Sequence, residues 1–210
     1  MPVILKMKKL VIPILTLTIF SCHSGPSADD YVKKGNLGLS HKIPYTEAFI
    51  AYNKAIQLKP DDTVAYANRG QLEIKMHNDF GALDDFQKVL SLDPKMTGVY
   101  YFMGVAREEV GDHKGSESAF TKAIAYNSKD ADAFVERAFV RQILRDDSGA
   151  LQDFNQAITL KPDSFPDAYL YRGLLKIKMS DKNGGCTDLR HSLKLKPDSI
   201  TLHDIEINCK

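Results

Sequence analysis

The chain repeats itself with a period of 34 residues: "GALDDFQKVLSLDP" at 81–94 returns as "GALQDFNQAITLKP" at 149–162, and "GSESAFTKAIAYNS" stands midway at 115–128. A fixed period of this size signals a stack of small supersecondary units, each too small to bury its apolar face alone. Core is therefore shared between neighbours, and domain counting follows the repeat.

The terminal proline of each unit is set at position 32: Pro60, Pro94, Pro162 and Pro197, with Ser128 in the third unit. One inserted residue falls in unit one and another between units four and five. Position 8 is then small throughout (Gly35, Gly70, Gly104, Ala138, Gly173), as is position 20 (Ala48, Ala82, Ser116, Ala150, Gly185). Position 24 is large (Tyr52, Phe86, Phe120, Phe154, Leu189), and position 27 is mostly small (Ala55, Val89, Ala123, Ala157, Ser192). Spacings of four and three put positions 20, 24 and 27 on one helix face. Two antiparallel helices approach closely where facing residues lack bulk, and the side chain at 24 fills the space beside them. Proline at 32 ends the second helix, because the residue before it is driven out of the αR region.

This pattern over residues 29–198 resembles the tetratricopeptide repeat (TPR). The family's usual tryptophan at position 4 is replaced by Tyr31, Tyr66, Tyr100, Phe134 and Tyr169. The resemblance implies an all-α, right-handed solenoid of antiparallel helix pairs, with about five units at 29–62, 63–96, 97–130, 131–165 and 166–198. Residues 199–210 would form a C-terminal capping helix. It also implies a concave groove lined by positions 2, 5, 9, 12 and 13 of the first helices. Carried over, these positions supply Tyr101, Val105, Val135, Phe139, Ile143, Leu170, Leu174 and Ile177, and the groove is expected to be markedly apolar. The basic residues with which some TPR domains capture a C-terminal carboxylate are replaced by Gly98 and Phe102, which argues against that ligand.

The N-terminus reads as a targeting segment, with Lys6, Lys8 and Lys9 followed by an uncharged run from Leu10 to Phe20. That run is too short for a spanning helix, which needs roughly 20 apolar residues, and suits the core of a signal peptide over 1–21. It ends at Ser21-Cys22, which resembles the lipobox of bacterial lipoproteins and implies cleavage before Cys22 and diacylation of its sulfur. Residues 22–28 would then form a flexible tether at the cell envelope. His23, in place of the aspartate that retains some lipoproteins at the inner membrane, favours the outer one. An ordinary signal peptide, or a short uncleaved anchor, is the alternative.

Removing residues 1–21 takes three lysines from 28 basic against 27 acidic side chains and leaves a slightly acidic chain. Nucleic-acid binding requires a basic patch or stripe, whereas the bases here are interleaved with acids. The six histidines fall at no metal-ligand spacing, and no phosphate-cradling glycine loop, nucleophile elbow or Cys–His nucleophile pair is present. No catalytic residue, metal, cofactor or small-molecule substrate is expected.

Arg69, Arg137 and Arg172 occupy position 7, while Asp85, Asp153 and Asp188 occupy position 23. Both charges are absent from unit three, and the two positions lie at one level of the hairpin. They are expected to form structural ion pairs within units. Cys186 and Cys209 lie at similar distances on either side of Pro197, so an antiparallel terminal helix would bring them level, and an oxidising compartment would let a disulfide persist. The expected function is a lipid-tethered, non-catalytic scaffold holding a protein or peptide partner. The alternative is a structural accessory subunit of a permanent envelope complex.

Overall fold

The structure, a computed structural model, describes residues 25–209, which form eleven α-helices and no strand. Ten of the helices pair as antiparallel hairpins, one per repeat unit. These are α1 (Ala28–Leu39) with α2 (Tyr45–Leu58), α3 (Thr63–Lys75) with α4 (Asp79–Leu92), and α5 (Val99–Glu109) with α6 (His113–Tyr126). They continue with α7 (Ala131–Ile143) and α8 (Asp147–Leu160), then α9 (Pro166–Lys178) and α10 (Lys182–Leu195). The last helix, α11 (Ser199–Asn208), packs on α10. The odd-numbered helices touch in succession from α1 to α7 and so form one rank of the stack.

Local signals account for the helix boundaries. Asp62, Asp112, Asp130, Asp146, Asp181 and Asp198 each cap a helix, their carboxylates accepting from the free backbone N–H groups of the first turn. Ser27 and Asp30 form a reciprocal capping box at α1. Ala28, expected as the last residue of a tether, is therefore already helical. The extra residue of unit one lies in the longer turn between α1 and α2. His113 is the first residue of α6.

The turn inside each hairpin carries one residue of positive φ: His41, His77, Gly111, Arg145 and Ser180. Only unit three places glycine there, although this is the left-handed conformation that glycine adopts without steric penalty.

Packing within the hairpins follows the small-to-large pairing of positions 8 and 24. A Cβ on Gly70 would meet the Phe86 ring at 2.7 Å, and one on Gly104 would meet Phe120 at 2.6 Å. The rings of Phe86, Phe120 and Phe154 are fully buried. Core also passes between units, since Phe134, Ala138 and Phe154 of the fourth cluster with Ala168, Tyr169 and Leu175 of the fifth. No hairpin is closed by itself, in keeping with the nearest-neighbour energetics of solenoids.

Candidate partner-binding groove

The charges that the sequence places at positions 7 and 23 meet as bidentate pairs. Arg69 donates through Nε and Nη2 to Asp85 at 2.8 and 2.6 Å, Arg137 to Asp153 at 2.8 and 2.7 Å, and Arg172 to Asp188 at 2.8 and 2.6 Å. The aspartates are only 4, 3 and 4% exposed. Such pairs are fork-to-fork contacts in a drained setting, where geometry and completeness of hydrogen bonding decide their worth.

Each arginine also reaches the preceding unit through Nη1. Arg69 donates to Asn53 at 2.6 Å, Arg137 to Thr121 at 3.1 Å and Arg172 to Asn155 at 2.9 Å. All three acceptors stand at position 25. The pairs therefore stitch units together as well as closing hairpins, a role beyond the intra-unit pairing expected from the repeat.

Position 11 adds a second cation in two units: Arg141 bonds Asp153 at 2.9 Å and Lys176 bonds Asp188 at 2.8 Å. Unit two has Glu73 there instead. Glu73 is 5% exposed; its Oε1 accepts from Asn78 at 3.0 Å, and its Oε2 is buried without a hydrogen-bond partner. Burial first, and then the Asp85 charge, push the Glu73 carboxyl up to about 7.

The eight residues expected along the groove do not all face it. Tyr101, Phe139 and Leu170 line a run of shallow depressions over α5, α7 and α9, and Ile143 and Leu174 line the next one. Val105 is half-buried and packs on the cluster around Phe120 and Val140. Val135, at 7% exposure, lies mostly in the core shared with the fifth unit and shows an edge to the groove. The Ile177 side chain instead fills the space above Gly185 on the paired helix α10.

Phe139 does both jobs. It lines the groove, yet it packs edge-on against the core ring of Phe154 at 5.3 Å and against Tyr171 at 5.0 Å. Position 9 of the fourth unit therefore belongs to the inter-helix core as well as to the groove.

The groove is also not markedly apolar. Asp130 and Asp132 stand beside Tyr101; Asp132, Glu136 and Asp167 stand around Phe139. Burial first, then the charges of Glu108 and Asp132, push the Glu136 carboxyl up to about 7. Burial, followed by the charges of Glu136, Asp132, Asp130 and Glu108, raises the Tyr101 hydroxyl to about 12. The positional rule that selects the apolar lining also holds Asp132 and Asp167 at position 2 and Glu108 at position 12, so the sequence carries this acidic signal as well. Ile200 of α11, 69% exposed, joins Leu170 and Tyr171 at the far end of the groove.

Cys186 and Cys209 are joined as a disulfide, with a Cα–Cα distance of 5.7 Å, fastening α11 to α10. Cys22 lies outside the described residues. Among the described residues no helix is long and apolar enough to cross a membrane, and no group of three His, Cys, Asp or Glu is placed to hold a metal ion.

No family model matches the chain, and no curated protein does. Solved structures do. The chain is similar to the MamA protein (21% identity, TM-score 0.71, covering 80% of this chain and 91% of that one). It is similar to YrrB, described as a TPR protein with an unusual peptide-binding site (20% identity, TM-score 0.71, covering 86 and 93%). A third likeness is TTC0263, a thermophilic TPR protein of Thermus thermophilus (17% identity, TM-score 0.61, covering 85 and 96%). The described chain thus has the all-helical fold of TPR solenoids.

Proposed function

We propose that the protein is a non-catalytic scaffold that holds a segment of another protein in the groove over α5, α7 and α9, and that a lipid on Cys22 tethers it at the bacterial cell envelope. The observation that carries the groove reading is a run of adjoining depressions over α5, α7 and α9 in which Tyr101, Phe139 and Leu170 stay half-exposed while the rings of the inter-helix core are sealed. Accessible aromatic and aliphatic side chains in a contiguous patch mark interaction surfaces. The peptide-binding site in YrrB's description gives the reading a precedent on the same fold. The tether rests on the order of basic residues, short apolar run, small residue and cysteine in residues 1–22.

Site-specific photo-crosslinking in whole cells tests the groove. A photoreactive residue at Leu170 should give discrete partner adducts, and the same residue at Thr159 on the opposite rank should not. Equal products from both sites, or none from Leu170, would sink the reading. Cys22→Ala tests the tether and should release the protein from membrane pellets or leave it unprocessed; unchanged size and fractionation would count against lipidation.

A further inference from the structure

The groove's carboxylates are unequally compensated. Lys161 holds Asp132 at 2.8 Å, and Lys196 approaches Asp167 at 3.7 Å. Glu136 and Glu108 form no ion pair with a lysine or arginine among the described residues, and they repel one another across the α5–α7 boundary. Burial first, and then the like charge of Glu109, push the Glu108 carboxyl up, against an opposing pull from His113. Glu136 shares one depression with Phe139 on α7, Tyr101 on α5 lines the adjoining one with Asp132 common to both, and the depression over Phe139, Leu170 and Ile200 continues toward α11.

A docked segment would drain this stretch further. An apolar side chain over Glu136 would remove water from a carboxylate that has no counter-ion, which is among the costlier acts in recognition. An anionic one would add repulsion. A lysine or arginine would supply the missing charge, lay its methylene stem along the Tyr101 and Phe139 rings, and gain from their π faces.

We propose that the segment taken by the groove carries a lysine or arginine that enters between Tyr101 and Phe139 to meet Glu136 and Glu108, with apolar residues following onto Leu170 and Ile200. The inference rests on the groove reading above and names the chemistry of its partner: a basic-then-apolar segment of another protein.

Panning a phage-displayed library of random dodecapeptides on the purified full-length chain tests it. The selected peptides are then titrated against the wild type, Glu108→Gln/Glu136→Gln and Leu170→Ser. Lysine or arginine should be enriched at one position of the selected peptides. Affinity should fall roughly tenfold or more in the double variant, and should weaken with added salt in the wild type. Circular dichroism of the double variant should match the wild type, since it removes two poorly compensated charges.

Peptides that depend on Leu170 but show no basic preference and ignore the Glu→Gln changes would overturn this inference while leaving the groove reading in place. If no selected peptide depends on Leu170, both fall. Dimerisation abolished by Glu108→Gln/Glu136→Gln would assign the groove to a second copy of this chain and overturn the partner named here.

Discussion

Arg69 and Asp85 face each other across hairpin α3–α4 in two parallel hydrogen bonds of 2.8 and 2.6 Å, and among the described residues no second cation pairs with Asp85. Its counterparts do, because Arg141 supports Asp153 and Lys176 supports Asp188. Removing one partner of a buried pair strands the other charge and costs about 3–5 kcal/mol. Arg69→Met should therefore lower the unfolding free energy by roughly that amount, and Arg137→Met by clearly less. Urea unfolding of both variants checks the order. Arg69→Met/Asp85→Leu should recover most of the loss, since neither member of the pair then leaves the other buried alone.

Stability should depend on pH through Glu73. Its folded-state value is raised from 4.5 to about 7, so its stabilising contribution is fully present below about pH 4.5 and is lost as pH rises through 7. The loss should be on the order of 3–4 kcal/mol, because each tenfold change in proton affinity is worth about 1.4 kcal/mol. Glu136 contributes with the same sign. Thermal melts at pH 5 and pH 8 should differ less for Glu73→Gln than for the wild type, and least for Glu73→Gln/Glu136→Gln. An unchanged pH difference would refute the assignment.

Arg145 sits at φ +66° in the α7–α8 turn, where unit three uses Gly111. A side chain in the left-handed region costs roughly 1–2 kcal/mol, partly offset by the entropy glycine loses on folding. Arg145→Gly should raise stability by about 0.5–1 kcal/mol, read as a higher urea midpoint. Gly111→Val should do the reverse.

Phe139→Glu should weaken partner binding and also destabilise the fold, because Phe139 touches Phe154 as well as the groove. Leu170→Ser separates the two effects more cleanly. Phe154→Ala, which empties a fully buried ring site, should cost about 3–5 kcal/mol. Fluorescence-detected unfolding alongside peptide titration distinguishes the three.

Cys209→Ser should loosen α11 while leaving the hairpins intact. The Cys186–Cys209 bridge closes a loop with a sequence separation of 23, worth about 3 kcal/mol on the chain-entropy model. Amide exchange should quicken in residues 199–208 and remain slow in α3 to α8. Uniform protection throughout would show that α11 is held by packing alone.

The period of the chain was enough to determine the hairpins. Position 8 must be small because the large side chain at 24 stands against it, and proline at 32 ends the second helix in four of the five units, so both are constraints within one unit that a linear pattern can express. The level pairing of Arg69 with Asp85 was legible for the same reason. Contacts between units were decided only in the tertiary structure, because they depend on the rotation from one hairpin to the next. That rotation brings Asn53, Thr121 and Asn155 to the arginines, closes α9 over Val135, and lays Tyr171 against Phe139. It also sets Glu108 against Glu136 across two helices. The electrostatic character of the groove is thus a property of the stack, since carboxylates that look solvated along a single helix lose that solvent when the next helix is laid beside them.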